Sequence, residues 1–123
     1  MLITRKADFS ASHVCRSAAL SEEENRAAFG AASNPHGHGH NYVLEVVVAG
    51  EVDQASGYVL DLKVLSDIMN GQVIRDVDHR NLNTDVPWLK GHIPTAENLA
   101  LAFWERLRPE LPDGLSPTDP SAD

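Results

Sequence analysis

The stretch NPHGHGHNYVLEVVV, residues 34–48, decides which fold and which chemistry this chain can have. Its second half, residues 42–48, is rich in the β-branched and apolar residues that strands prefer. Its first half holds three of the six histidines of the chain, at the alternate positions His36, His38 and His40. Because alternate side chains of an extended strand point to the same face, we expect these imidazoles to share one side at the entry of a strand.

Alternating histidines that lead into a strand favour a metal site, although a single histidine is more often an ordinary surface residue. Neutral imidazole suits zinc, copper, iron and nickel. His13 closes another alternating run, residues 9–13, and it can meet His38 and His40 if the two strands are neighbours. Three protein ligands with an open fourth position form a catalytic zinc site. A fourth ligand would make the site structural, and Cys15, two residues after His13, leaves that alternative open.

Length, composition and charge narrow the class of protein. The 123 residues suit one domain, and 42% of them are hydrophobic, which is enough for a core. The single cysteine forms no internal disulfide, so an intracellular, cytoplasmic protein is expected. The net charge of -8 argues against nucleic-acid or anionic-membrane partners. Residues 1–13 lack the apolar core of a signal peptide, and no run approaches the roughly 20 apolar residues of a membrane span.

The hydrophobic pattern predicts an α+β domain with an antiparallel sheet and helices on one face. Three strands are predicted, the second and third as a hairpin, at residues 2–13, 38–52 and 58–62. Helical turns are predicted within residues 20–30, at residues 63–75, and from an N-cap at Thr95 to Pro109. Residues 113–123 are rich in Pro, Ser and Asp and predict a disordered tail after a domain of residues 1–112. Three strands are few for two helices, so the fold is expected to be one strand short.

A second group of polar residues follows the helix predicted at residues 63–75. Asp78 and His79 lie in a predicted loop over residues 78–91, where a carboxylate can orient an imidazole and raise its pKa toward neutrality. As a dipeptide the pair is more often polar surface. Glu97, near the start of the last predicted helix, has the ordinary alternative role of stabilising the helix dipole. Trp88 and Trp104 are expected to pack rather than to bind.

The motifs of the chain, taken in order, resemble those of the 6-pyruvoyl-tetrahydropterin synthase / 6-carboxytetrahydropterin synthase family. The matching segments are FSASH (9–13), LSEEEN (20–25), FG (29–30), NPHGHGHNY (34–42), SGYVLDL (56–62), DHRNLN (78–83) and PTAENLA (94–100). The resemblance implies the tunnelling fold, in which a four-stranded antiparallel sheet carries two helices on one face. It also implies a homohexamer with active sites at subunit interfaces. The implied reaction is zinc-dependent elimination of triphosphate from the small-molecule substrate 7,8-dihydroneopterin triphosphate.

The resemblance also assigns roles to individual residues. It implies that the zinc ligands are His13, His38 and His40, while His36 matches no ligand. The acid–base pair of the family falls on Asp78 and His79.

The substrate-contacting residues of the family fall at the start of the last predicted helix. The pterin-contacting Thr and Glu of the family fall near Thr95 and on Glu97.

Two departures from the family pattern leave the activity open. The catalytic cysteine of the family falls on Ala32, which cannot carry a proton, and Cys15 is not its equivalent. The last family strand, with a glutamate that anchors the pterin, is replaced by LSPTDPSAD, residues 115–123. Three hypotheses follow: a pterin-synthase-type lyase with weak or altered activity, an aldolase that yields 6-hydroxymethyl-dihydropterin, and a non-catalytic zinc- and pterin-binding relic.

Overall fold

The structure is a computed structural model that describes residues 1–120. Four strands and four α-helical segments follow one another along the chain. In order they are β1 (Leu2–His13), α1 (Glu22–Phe29), β2 (His38–Ala49), α2 (Leu62–Met69), α3 (Arg75–Val77), β3 (Arg80–Asn81), α4 (Ala96–Leu107) and β4 (Ser116–Pro117). No helix among residues 1–120 has both the length and the apolar composition needed to cross a bilayer.

The long antiparallel pair of β1 and β2 is the centre of the sheet. Every residue of β1 has a partner in β2, from Leu2 opposite Ala49 to His13 opposite His38. Residues of β1 alternate in burial, with Phe9 and Ala11 buried on one face and Ser10 between them on the other. The alternation predicted from the sequence is confirmed, and the second strand ends at Ala49 rather than at residue 52.

The sheet is mixed rather than wholly antiparallel. Its strand order is β3-β1-β2-β4, and β3 pairs in parallel with β1 through Arg80 opposite Ala11. The expectation of an antiparallel sheet is therefore corrected at this edge. The physical reason lies in the loop after α3, where the N–H of His79 donates to the carbonyl of Ser10 and draws the chain alongside β1.

The predicted third strand over residues 58–62 is wrong, because this segment closes a loop and starts a helix. The N–H of Asp53 donates to the carbonyl of Tyr58, and Gly57 has a φ of 79° that favours glycine. The Asp61 carboxylate then accepts the N–H of Lys63 and caps α2. The apolar residues of the segment resemble a strand in composition, but Leu60 packs against the core from this loop.

The helix predicted over residues 63–75 is confirmed and runs a little further in both directions. A π-helical turn, Asn70–Ile74, joins α2 to α3 without a break. The last helix is also confirmed, with Thr95 as its N-cap, α4 as its body and a 3-10 turn at Arg108–Glu110. The N-cap at Thr95 could be predicted from the sequence because capping depends on residues only a few positions apart.

One core joins the inner face of the sheet to the helices, as predicted. Its fully buried members include Val48 from β2 and Leu65 from α2, both at 0% exposure, and Phe103 of α4 stacks edge-on against Phe9. The other buried core residues are Ala11, Val46, Met69, Val73, Val77, Leu82, Val86, Leu89, Leu99, Leu107 and Leu111. This core holds the ends of β1 and β2 in place.

Part of the tail predicted over residues 113–123 packs beside this core. Ser116 and Pro117 pair with the end of β2, and the N–H of Thr118 donates to the carbonyl of Val47. Pro117 is buried, and its carbonyl accepts the indole N–H of Trp104. These contacts contradict disorder over residues 115–118, while residues 121–123 of the predicted tail lie outside the described residues. The domain boundary at residue 112 stays a prediction.

The core predicts a strong contrast between two leucines of α2. Leu65→Ala removes a side chain that is 0% exposed and should lower the free energy of unfolding by about 2–5 kcal/mol. Leu62→Ala, on the same helix but 41% exposed, should cost under about 1 kcal/mol. Urea denaturation of both variants measures the difference, and equal losses would contradict this core.

Candidate functional site

Three histidines meet where β1 ends and β2 begins. His13 is the last residue of β1 and pairs with His38, the first residue of β2. His40 follows two positions later and therefore points to the same face. Gly37 precedes this strand with a φ of 78°, a conformation that favours glycine and turns the chain into register with His13.

The imidazoles of His13, His38 and His40, called here the histidine cluster, lie within ligand-sharing distance. One nitrogen from each ring lies within 4.8 Å of the others, and the ring centroids of neighbouring pairs are 4.6 to 5.0 Å apart. In residues 1–120 no other set of three His, Cys, Asp or Glu side chains has this property. The convergence expected from the sequence is therefore present.

A backbone carbonyl fixes the orientation of the His13 ring. Nδ1 of His13 lies 2.8 Å from the carbonyl oxygen of Pro94, which can only accept, so Nδ1 carries the proton. Nε2 is then the lone-pair nitrogen and faces the cluster. Burial lowers the pKa of His13, and charge on His38 or His40 would lower it further, while the Pro94 bond opposes this shift. A neutral imidazole is the form that binds metals.

Two observations indicate that protein atoms alone do not satisfy this cluster. Nε2 of His13 and Nε2 of His38 are only 3.1 Å apart, so the two rings either share a proton or direct both lone pairs at a cation. Nδ1 of His38 is buried without a hydrogen-bond partner among the described residues. Three imidazoles match the ligand set of a catalytic metal site, and the donor set therefore fits a divalent transition metal.

The two alternative ligands that the sequence offers lie elsewhere. The sulfur of Cys15 is 3.8 Å from Nδ1 of His13 and 3.9 Å from the Pro94 oxygen, on the side of the ring away from His38. Burial and the Glu97 carboxylate raise the pKa of this thiol, which disfavours the thiolate that a metal needs. His36 is exposed, with its N–H bonded to Asn34. A four-ligand site with Cys15 finds no support in this geometry.

Asp78 and His79 form a hydrogen-bonded pair at the edge of β1. Oδ1 of Asp78 accepts the N–H of Ser10 at 2.9 Å and lies 3.0 Å from Nδ1 of His79. The Ser10 bond lowers the pKa of Asp78, and His79 contributes to the same shift. His79 has a φ of 59°, and its side chain is 82% exposed. The carboxylate therefore orients an accessible imidazole, as an acid–base pair requires.

Among residues 1–120, no hydrogen bond or ring contact joins Asp78 or His79 to the histidine cluster. His79 lines a cavity of about 610 Å³ together with Ser10, Asn41 and one member of the cluster, His40. Ser10 and Asn41 hydrogen bond across the strands on the face opposite Ala11 and His13. His79, whose N–H bonds to the Ser10 carbonyl, therefore lies at the β1 edge of the sheet beside Ser10.

The start of α4 lies beside the cluster. Oγ1 of Thr95 accepts the N–H of Asn98 and caps the helix. Glu97 is exposed in the first turn, close enough to Cys15 to influence its thiol. Contact of either residue with a pterin stays a prediction.

Two supporting groups were missed from the sequence. The Pro94 carbonyl has no side-chain signature and reaches a residue 81 positions away. The Tyr42 hydroxyl lies 3.4 Å from Nδ1 of His13, and its ring stacks on Phe9 with centroids 4.7 Å apart. Tyr42 could have been predicted from the sequence to lie on the face of the cluster, because it continues the alternation of His38 and His40.

Comparison with known proteins then identifies the family. A family model described as 6-pyruvoyl tetrahydropterin synthase matches residues 2–119. The chain belongs to the 6-pyruvoyl tetrahydropterin synthase family. A relative from Pongo abelii, named 6-pyruvoyl tetrahydrobiopterin synthase, is 44% identical over 113 residues, which span 92% of this chain and 78% of that protein. Members of this family are thus named as synthases of tetrahydropterins.

Two further matches show how closely the fold is shared and which other activity is named among similar proteins. The solved structure of Caenorhabditis elegans 6-pyruvoyl tetrahydropterin synthase has a TM-score of 0.84 and 38% identity, and the match covers 97% of this chain and 94% of that one. A dihydroneopterin monophosphate aldolase from Pyrococcus furiosus is 45% identical over 75 residues, 61% of this chain and 59% of that protein. The fold of the family is shared closely, while the second match carries a different named activity.

The position that the family resemblance gives to a catalytic cysteine lies next to Cys15 in this fold. The carbonyl of Ala32 accepts the N–H of Cys15 at 2.8 Å. Ala32 is half-buried in the 3-10 turn Gly30–Ser33. A methyl group stands where the resemblance implies a thiol, so proton transfer from this turn would need another group.

The cluster predicts selective loss of metal binding when a ligand is removed. The protein should bind one equivalent of Co²⁺, used as a spectroscopic probe, and His38→Ala should abolish stoichiometric binding because only two imidazoles remain. His36→Ala is the matched control, since this neighbouring histidine lies outside the cluster. Equilibrium dialysis with absorption spectroscopy measures both, and full retention of Co²⁺ by His38→Ala would contradict the site.

Proposed function

We propose that this protein is a zinc-dependent lyase of the 6-pyruvoyl/6-carboxy-tetrahydropterin synthase type that acts on 7,8-dihydroneopterin triphosphate and eliminates triphosphate. The single observation that carries the proposal is the convergence of three imidazole nitrogens within 4.8 Å in a chain of this family. Zinc held by His13, His38 and His40 would act as a Lewis acid on a substrate oxygen and lower the pKa of a substrate hydroxyl.

The residues of the chain supply the remaining parts of the reaction. His79, oriented by Asp78, would accept a proton at Nε2, because its Nδ1 faces the Asp78 carboxylate at 3.0 Å. Asp78 keeps its negative charge in the fold, since the Ser10 N–H lowers its pKa, and its carboxylate can therefore orient the His79 ring through Nδ1. Thr95 and Glu97, at the start of α4 beside the cluster, are proposed to contact the pterin.

The exposed position of His79 at the edge of the sheet supports a homo-oligomer. His79 is 82% exposed, and its N–H bonds to Ser10, whose side chain alternates with those of Ala11 and His13 in β1. We therefore infer that the Asp78–His79 pair of one copy works at the histidine cluster of a second copy. The family resemblance suggests a hexamer for this assembly.

Because Ala32 stands at the position of the catalytic cysteine of the family, two alternative functions must be considered beside the lyase. A missing general acid or base commonly costs about 10²–10⁴-fold in rate, so the proposed elimination should be slow. The similarity to a dihydroneopterin monophosphate aldolase favours, as a second candidate, cleavage of the side chain to 6-hydroxymethyl-dihydropterin. A zinc- and pterin-binding protein without turnover is the third.

A product assay distinguishes these functions. Zinc-loaded protein is incubated with 7,8-dihydroneopterin triphosphate, and the products are identified by mass spectrometry. We expect slow release of triphosphate, and at least about 10²-fold faster release by Ala32→Cys, because a thiol restores a proton carrier at that position. Ala31→Cys, which adds a thiol to the exposed neighbouring residue of the same turn, is the matched control.

Each other outcome contradicts the proposed lyase in a defined way. A 6-hydroxymethyl product from the unmodified chain would establish the aldolase instead. No product from the unmodified chain or from Ala32→Cys, with zinc retained, would establish the binding protein. Equal acceleration by Ala31→Cys would show that the position of Ala32 has no special role.

A further inference from the structure

Three side chains connect the two ends of the loop that carries His79. Asp76 lies two residues before this loop begins, and Trp88 lies in a 3-10 turn, Pro87–Leu89, near its end. The indole N–H of Trp88 donates to Oδ2 of Asp76 at 3.0 Å, and the guanidinium of Arg106 donates to the same oxygen at 3.3 Å. The three residues are called the loop clamp below.

Arg106 is the central member of the loop clamp. Its guanidinium carbon lies 4.9 Å from the centroid of the Trp88 ring, a cation–π contact. Its Nε donates to the carbonyl of Gln72 at 3.1 Å, inside the π-helical turn Asn70–Ile74. The planar guanidinium thus makes three contacts in fixed directions, which a lysine or a neutral side chain of similar length cannot do. Its side chain is only about a third exposed.

The π-helical turn that Arg106 holds determines where the following residues lie. Turns of this kind are uncommon and occur often at functional sites, because they shift the register of the residues after them. Val77 is fully buried, and the N–H of Asp78 donates to the carbonyl of Ile74 within the same turn. The orientation of Asp78 toward Ser10 therefore follows from the geometry of this turn.

His79 occupies a strained backbone position that needs such support. Its φ of 59° lies in the left-handed region, which non-glycine residues adopt only where the surroundings enforce it. Its own N–H donates to the carbonyl of Ser10 at 2.6 Å, and three residues later the N–H of Leu82 donates to Ser12. These bonds fix the loop to β1, and the loop clamp fixes it to α3 and α4.

We propose that Arg106, acting through Asp76 and Trp88, is a positioning residue that holds the Asp78–His79 pair against the edge of β1. Arg106 touches neither the pair nor the histidine cluster, so it acts at a distance through the loop. The catalytic part of this inference rests on the proposed function of the pair as an acid and base. A misplacement of a catalytic group by about 1 Å can lower the rate by about 10²-fold.

The 3-10 turn Arg108–Glu110, which directly follows α4, contains a matched control. The guanidinium carbon of Arg108 also lies 4.9 Å from the centroid of a tryptophan ring, that of Trp104, and its guanidinium pairs with Glu105 at 3.2 Å. Trp104 contacts the carbonyl of Pro117 rather than the loop. Arg106 and Arg108 therefore share residue type, a position near the end of the last helical region and contact with a tryptophan ring, and they differ in their connection to the loop that carries His79.

The experiment compares Arg106→Gln with Arg108→Gln in two ways. Hydrogen–deuterium exchange of the intact protein should show the amides of His79 and Leu82 exchanging at least about tenfold faster in Arg106→Gln and unchanged in Arg108→Gln. In the zinc-loaded enzyme, Arg106→Gln should lower kcat about tenfold with KM within about twofold, because substrate binding is not involved. Trp88→Phe, which removes the indole donor and part of the ring but keeps an aromatic side chain beside Arg106, should change both readouts in the same direction to a smaller extent.

The two readouts separate failure of the inference from failure of the proposed function. Unchanged exchange at His79 in Arg106→Gln, or equal changes in Arg108→Gln, would overturn the positioning role whether or not the protein is an enzyme. If Arg106→Gln does not fold, Trp88→Phe decides in the same manner. Faster exchange with normal kcat would overturn the catalytic part alone, and no turnover by the unmodified chain, with exchange as predicted, would contradict only the proposed function.

Discussion

The register of β1 against β2 places His13 opposite His38, and the rest of the candidate site depends on that pairing. A slip of one residue would turn every side chain of the strand to the other face. His38 and His40 would then face the side of Ser10 and Asn41, while Gly37 and Gly39 would face His13. The buried residues Phe9, Val46 and Val48 hold the register, because a slip would expose them to water. Core packing and the convergence of the three histidines are thus two results of one alternation.

The helices complete the site through main-chain groups. The carbonyl of Pro94, just before the N-cap of α4, orients His13 at one end of the cluster. The π-helical turn after α2 sets the position of Asp78 at the other edge of β1. Both contacts join segments far apart in sequence, so the histidine cluster and the Asp78–His79 pair need the folded core.

Much of this arrangement could be predicted from the sequence, since the signals are local. Alternation predicted both long strands, the residue type of Thr95 predicted the start of the last helix, and His-Gly-His marked the start of a strand. The prediction of a strand at residues 58–62 was wrong because the β-like composition was weighed above Asp61, a residue type that commonly caps a helix. The parallel pairing of β3, the Pro94 contact and the separation of His79 from the cluster depend on contacts between distant residues, which composition and periodicity do not encode.

The most direct test of this account is a crystal structure of the zinc-loaded protein with anomalous diffraction measured at the zinc edge. The account predicts one strong anomalous peak about 2.1 Å from an imidazole nitrogen of each of His13, His38 and His40, with an open position beyond them. A peak bound by Cys15 or His36, or the absence of any peak between the three rings, would contradict it.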